Sequence, residues 1–257
     1  MSKIIALVNQ KGGVGKTTTA VNLAQYLSKL ERKVLLVDLD PQANATSGVG
    51  IDKDKVPYAV YDALIGRVEL KDIILVSKSI DYSVIPSNAS LAGFSIEVAN
   101  TPQREFRLSN VLNDLRFYFD YIIIDSPPSL DILTVNGLVA SDGVIIPVQC
   151  EYYALEGLSR LLETLSLVRK SLKPNLELIG AVLTMYDKRN RLARQVVKEV
   201  RENFPGRVFD SVIPRNVRLS EAPSHGKTIF DFSSLSKGAR AYGNLAEEVV
   251  ELEKQEK

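Results

Sequence analysis

Residues 10–18 read Gln10-Lys11-Gly12-Gly13-Val14-Gly15-Lys16-Thr17-Thr18. They follow an apolar run, Ile4-Ile5-Ala6-Leu7-Val8, and lead into a helical pattern over Thr17–Leu30. A strand, a glycine loop and a helix in that order form a phosphate cradle. Glycines let the backbone curl so that several N–H groups point inward at phosphate oxygens. The helix adds the positive end of its dipole. Lys16 is placed to reach the β- and γ-phosphates of a nucleotide, and the Thr17 hydroxyl to ligate Mg²⁺. The expected binding residues are therefore Gly12, Gly13, Val14, Gly15, Lys16, Thr17 and Thr18. One position departs from the general phosphate-loop pattern, which expects Gly where Gln10 stands. A second lysine, Lys11, instead precedes the glycine pair.

Outward from the loop, short β-like runs alternate with helical stretches. Further strands are expected at Val34–Val37, Tyr82–Ile85, Tyr121–Ile124, Val144–Val148 and Leu178–Leu183. Apolar residues at successive positions suit strands covered on both faces. Helical patterns run over Arg104–Phe117, Leu155–Ser171, Arg191–Phe204 and Leu235–Glu253. This alternation predicts an α/β fold of the P-loop NTPase type, a mostly parallel twisted sheet with helices on both faces. No Gly-, Ser- or Pro-rich linker divides the chain, so one domain over residues 1–257 is expected, with a fraying acidic end at 245–257.

The second and fourth runs each end in acids, Asp38-Leu39-Asp40-Pro41-Gln42 and Asp125-Ser126-Pro127-Pro128-Ser129. Ligands of open α/β sheets bind beyond the C-terminal ends of the strands, so all three carboxylates are expected to face the phosphate loop. Nucleotide hydrolysis needs an acid for the Mg²⁺ shell and a group that orients the attacking water. Asp125 suits the first role, with Thr17 and Asp38 beside it at the metal, and Asp40 suits the second. Any one of them could instead cap a helix or turn.

Composition narrows the class. A single cysteine, Cys150, excludes an internal disulfide framework or a multi-cysteine metal site and fits a reducing, intracellular setting. The N-terminus lacks a signal peptide's apolar stretch, and no run approaches a membrane span. His225 is the only histidine, which removes His-based triads and paired-histidine metal sites within one chain. The formal charge of +1 is silent about nucleic acid. Residues 187–227, however, carry ten bases against five acids. Arg191, Arg194, Lys198 and Arg201 share one helix face, opposite a packed stripe of Leu192, Val196, Val200 and Phe204. Such a face can follow a phosphate backbone without reading bases, although a charged helix face is also ordinary on a surface.

The extra lysine, together with Asp40-Pro41-Gln42-Ala43-Asn44-Ala45-Thr46-Ser47, resembles the deviant phosphate loop and first switch region of the ParA/MinD ATPases. Two longer stretches, Gln149–Gly157 and Ile213–Pro223, resemble the Soj-type chromosomal branch. The resemblance implies ATP and Mg²⁺ as ligands and an ATP-dependent homodimer in which Lys11 reaches the partner's nucleotide. It implies Pro214 and Asn216 at the adenine, and Glu151 near the shared site. It further implies non-specific double-stranded DNA as a partner, through Arg189 and Arg218 beside the basic helix face. A ParB-type centromere-binding protein would stimulate slow ATP hydrolysis, in a cytoplasmic, nucleoid-associated protein that segregates chromosomes or plasmids. Lys11, Lys16 and Asp40 would be the catalytic residues. A MinD-like membrane-cycling ATPase is the alternative, and a metabolic P-loop enzyme a more distant one. The tail opposes the first, since residues 245–257 hold five acids and two bases and anionic lipid would repel them. Iron–sulfur relatives need cysteines that are absent. The larger plasmid proteins carry an N-terminal DNA-reading domain, and only ten residues precede Lys11.

Overall fold

The computed structural model describes residues 2–77, 80–151 and 154–255, and the side chains of 154–156 are left out of the description. Tyr152 and Tyr153 of the Soj-like stretch, and the last two residues of the acidic tail, therefore lie outside the described residues. Among those described, eight strands form one sheet: β1 Lys3–Leu7, β2 Val34–Asp38, β3 Leu75–Val76, β4 Ser83–Ile85, β5 Tyr121–Asp125, β6 Gly143–Gln149, β7 Glu177–Tyr186 and β8 Val208–Pro214. Their order is β3-β4-β2-β5-β1-β6-β7-β8, and only β3 runs antiparallel to its neighbour.

The apolar runs form strands because both of their faces are covered. Ile4, Ala6 and Val8 enter one core with Leu35, Val37, Ile122 and Ile124. Ile5 and Leu7 enter the other with Val34, Leu36, Tyr121 and Ile123. The helices are α1 Lys16–Lys29, α2 Asn44–Gly48, α3 Val60–Leu64, α4 Phe94–Glu97, α5 Arg107–Leu112, α6 Ile132–Ala140, α7 Ala154–Ser171, α8 Arg191–Asn203, α9 Val217–Glu221, α10 Ile229–Ser233 and α11 Lys237–Gln255. Residues of α3, α5, α6, α7 and α8 pack on the first face. Those of α1 and α11 pack on the second, where Thr19 and Tyr242 meet through their hydroxyls at 3.1 Å.

Three sequence expectations are corrected. The sheet has eight strands rather than six. β8 escapes a search for apolar runs because Asp210 and Ser211 interrupt it and its burial alternates, while β3 is two residues long. The pattern over 104–117 is not one helix: two 3₁₀ segments, Arg104–Phe106 and Asn113–Phe117, flank the short α5. Leu192 does not belong to the packed stripe of α8; it is exposed, and Ala193 takes its place beside Val196 and Val200. The acidic tail continues α11 as far as Gln255, the last described residue. Glu248 accepts hydrogen bonds from the backbone N–H groups of Asp210 and Ser211 at 2.8 and 2.7 Å, and Glu253 accepts one from the Tyr121 hydroxyl at 2.7 Å. These acids fasten α11 to the sheet.

Candidate functional site

The parallel strands end together on one edge of the sheet. Leu7, Asp125 and Asp38 are register partners across β1, β5 and β2, so two carboxylates emerge beside the strand that opens into the phosphate loop. The loop is held from below. Asn9 donates to the Pro147 carbonyl at 2.7 Å and accepts from the Lys11 N–H at 3.0 Å. The Thr184 hydroxyl donates to the Val14 carbonyl at 2.7 Å. Gly13 and Gly15 adopt φ of +73° and +92°, the left-handed region where a side chain is strained. Gly15 caps α1 with no side-chain hydrogen bond, which leaves the first N–H groups of this helix for an anion.

The two lysines of the loop face different surroundings. Lys16 is 6% exposed and its ammonium donates to the Lys11 carbonyl at 3.2 Å. Burial pulls its pKa down, while the charges of Asp125 and Asp40 pull it back up. Lys11 points out of the cradle, where its ammonium stands 3.8 Å from the exposed carboxylate of Glu151.

The three carboxylates divide in environment. Asp40 lines the cavity above the loop, and its Oδ1 accepts from the Gln42 N–H at 2.9 Å. Asp38 is fully buried and its oxygens are engaged. Oδ2 accepts from the Thr46 N–H and hydroxyl at 2.8 and 2.7 Å, and Oδ1 accepts from the Asp40 N–H at 3.2 Å. Burial raises its pKa to about 6 against the lowering effect of these bonds. Asp125 is buried, and neither of its carboxylate oxygens has a hydrogen-bond partner of good geometry among the described residues. Burial and the nearby Asp38 charge push its pKa well above the usual range, with Thr17 and Lys16 acting the other way. Bare buried oxygens of this kind are expensive unless something cationic reaches them. Among the described residues no cluster of three acidic, His or Cys side chains could cage a metal unaided. Mg²⁺ does not need one, because it keeps water and takes phosphate oxygens. The donor set of Asp125, Thr17 and Asp38 fits that ion.

Two adjoining cavities share Gly15, Thr18, Met185, Leu219 and Pro223. One, of about 630 Å³, lies over the phosphate loop between Asp40 and the 222–227 segment. The other, of about 620 Å³, is walled by Pro214 and Asn216, the two residues expected at a base. Asn216 also caps α9 by accepting from the Arg218 N–H at 2.9 Å. Met185, between the cavities, holds a left-handed φ of +53° within β7, a strained conformation of the sort that gathers at functional sites. Opposite walls meet through bare backbone. A Cβ on Gly226 would lie 2.7 Å from the Cα of Gly50.

The sequence reading missed Asn9, Thr184 and Ser87. Ser87 had a signal, since it follows β4 at the same sheet edge as the acids. Thr46 stands in the quoted switch stretch, but its partners are visible only in three dimensions.

Arg189, Arg191, Arg194, Lys198, Arg201 and Arg218 are all exposed, the middle four along α8. Most meet an acid or a carbonyl. Arg189 grips Asp187 through two nitrogens at 3.1 and 2.9 Å, which holds that carboxyl down at about 2. Arg194 donates to the Lys188 carbonyl at 2.6 Å. Lys198 pairs with Glu202 at 3.7 Å, Arg201 with Asp210 at 3.4 Å and Arg218 with Glu221 at 2.9 Å. The Arg215 N–H donates to the Tyr186 carbonyl at 2.9 Å, which ties the cavity wall at Pro214–Asn216 to the chain that enters α8. Cys150 is buried, as its position after an apolar strand suggests. His225 is exposed and stacks on Phe232. No helix among the described residues is long and apolar enough to cross a membrane.

A glycine loop between β1 and α1, a buried lysine and strand-end carboxylates define a P-loop nucleotide-binding protein. Residues 2–178 match the family AAA_31, described as AAA domain. The chain is 55% identical to the sporulation initiation inhibitor protein Soj of Bacillus subtilis, over 97% of this chain and 99% of that one. It is 49% identical to the chromosome partitioning protein ParA of Myxococcus xanthus, over 97% and 88%. Among solved structures, cobyrinic acid a,c-diamide synthase of Mycobacterium smegmatis with bound ADP and magnesium superposes with a TM-score of 0.89. It is 37% identical, over 100% of this chain and 97% of that chain. The chain belongs to the ParA/MinD family, in its Soj-type ParA branch.

Proposed function

We propose that this chain is a chromosome- or plasmid-partitioning ATPase that dimerises on ATP, holds DNA non-specifically as the dimer, and lets go after hydrolysis. One observation carries the reading: the two lysines of a single loop face different ways. Lys16 is buried toward Asp125 and Asp40. Among the described residues the Lys11 ammonium makes only the long contact to Glu151, which leaves it able to serve a neighbouring nucleotide. A cation supplied in trans would stabilise charge on the transferring phosphoryl group, as an arginine finger does.

ATP would lie across both cavities, its phosphates on residues 12–18 and its base against Pro214 and Asn216. Thr17 and Asp125, with Asp38 in support, would hold Mg²⁺, which would neutralise charge at the phosphates. Asp40 holds and orients the attacking water. Lys16 binds the β- and γ-phosphates and screens them from the carboxylates. Because Lys11 can act only when two loops face each other, hydrolysis is coupled to dimerisation. A dimer also doubles the basic surface of α8 and α9, which raises avidity for phosphate backbones. A ParB-type protein would stimulate the slow hydrolysis, and the protein would reside on the nucleoid in the cytoplasm. The similarity to the chromosome partitioning protein ParA of Myxococcus xanthus supports a role in partitioning.

The test is DNA binding with ATP, ADP or no nucleotide over a salt series. Binding that requires ATP, ignores sequence and weakens with salt supports the proposal. ATP-dependent sedimentation with anionic liposomes in place of DNA would move the assignment to a MinD-like cycle. Turnover indifferent to both surfaces would move it to a metabolic enzyme.

A further inference from the structure

We propose that Thr46, together with Ser87, is a positioning residue for Asp40, and that its hydroxyl sets the turnover rate without contributing to nucleotide affinity. The inference rests on the reading of Asp40 as the residue that orients the attacking water.

Asp40 has no side-chain anchor in the protein core. Among the described residues, the one hydrogen bond its carboxylate receives comes from Gln42, in its own loop. The direction of the carboxylate is therefore set by the backbone that carries it. Two buried contacts fix that backbone. The Asp40 N–H donates to Asp38 Oδ1 at 3.2 Å, and the Ser87 hydroxyl donates to the Asp40 carbonyl at 2.8 Å. Thr46 joins these two supports. Its hydroxyl donates to Asp38 Oδ2 at 2.7 Å and accepts the Ser87 N–H at 2.9 Å, while its own N–H donates to the same Asp38 oxygen at 2.8 Å. Thr46, Ser87 and Asp38 are all fully buried.

The arrangement closes a ring from Asp38 through Thr46 and Ser87 to Asp40 and back to Asp38. Three chain segments contribute: the end of β2, the start of α2, and the turn after β4. Only a hydroxyl can fill the Thr46 position, because the site needs a donor and an acceptor on one atom. The ring also encloses a strained turn. Ala43 is buried in the left-handed region at φ +54°, and its N–H donates to the Asp40 carbonyl at 2.9 Å. A non-glycine residue keeps that conformation only where its surroundings over-determine it. Displacing a catalytic group by about 1 Å can cost about 100-fold in rate, so the ring is placed to matter to turnover.

Thr46→Val removes the hydroxyl at nearly constant shape, and Thr46→Ser keeps it. The expected result is a fall in ATP turnover of about tenfold or more in Thr46→Val. Affinity for a fluorescent ATP analogue with Mg²⁺ should stay within about threefold, and Thr46→Ser should recover turnover to within about twofold. Ser87→Ala should act in the same direction, and the double variant should be no slower than Thr46→Val alone, since both cut one ring. Turnover within about twofold of the parent in Thr46→Val, or equal losses of turnover and affinity, would overturn the proposal. Should Thr46→Val fail to fold, Ser87→Ala, with Ser87→Thr as its hydroxyl-retaining partner, is judged by the same criteria. Asp40→Ala separates the two levels. Full turnover in that variant overturns the reading of Asp40 itself, whereas its loss beside an unimpaired Thr46→Val overturns only the positioning role.

Discussion

The phosphate cavity and the basic face of α8 are both made of charged side chains, and they are built in opposite ways. At the cavity the charges are buried. Lys16 is shifted down by desolvation, and Asp125 keeps two bare oxygens. On the basic face the charges are exposed and several are answered locally, Arg189 by Asp187 ahead of α8, and Lys198 and Arg201 on it by Glu202 and Asp210. The first arrangement holds an unmet demand that a polyphosphate with its cation can satisfy. The second holds exposed ion pairs that solvent and salt screen, so phosphate groups can replace the acids at little cost. A site of the first kind should lose function in one step when altered. A face of the second kind should respond by degrees and depend on salt.

The sharpest way to break this contrast is Lys16→Ala. It removes the one buried cation of the cradle and leaves Asp125 and Asp40 uncompensated next to the phosphates. Nucleotide affinity is expected to fall by at least about 100-fold, measured by calorimetric titration. Affinity close to that of the parent would mean that the buried charge makes no demand on the ligand.

The rigidity assumed for the cavity has its own test in Gly226→Ala. The new methyl would lie 2.7 Å from the Cα of Gly50, at a backbone φ of +62°. Overlap and the left-handed conformation together should cost about 2 kcal/mol, read from urea unfolding. A neutral result would show that the 222–227 segment stands away from the switch loop in solution, leaving the cavity wall open.

The same contrast explains what could be read from the sequence. The phosphate loop was legible because its chemistry is local. Spacing alone puts Lys16 and Thr17 at the start of a helix, and strand ends put Asp38, Asp40 and Asp125 at one sheet edge. The central strands were legible because burial on both faces demands continuous apolar runs. β8 was hidden because one of its faces carries Asp210, whose backbone N–H is answered by Glu248 from α11, 38 residues away. The ring through Thr46 and Ser87 was hidden for a like reason, since 41 residues separate its two hydroxyl groups. The division of labour among the three acids was equally out of reach, because the bonds that engage Asp38 and spare Asp125 depend on how the switch loop folds back.

On the basic side, Arg218→Ala should weaken ATP-dependent DNA binding about fivefold and reduce the slope of log affinity against log salt by about one, while dimerisation is preserved. An unchanged slope would remove Arg218 from the phosphate contacts and confine the face to α8.

The smallest effect is the most diagnostic of how the face works. Asp187→Asn leaves Arg189 in place but removes the carboxylate that grips it at 2.9 Å. If the pair merely parks the arginine until a phosphate displaces the acid, DNA affinity should rise about twofold at low salt and converge with the parent as salt screens both interactions. If affinity falls instead, the carboxylate is orienting Arg189 toward the backbone. The basic face would then share the preorganised character of the cavity, and the contrast between the two regions would fail at this residue.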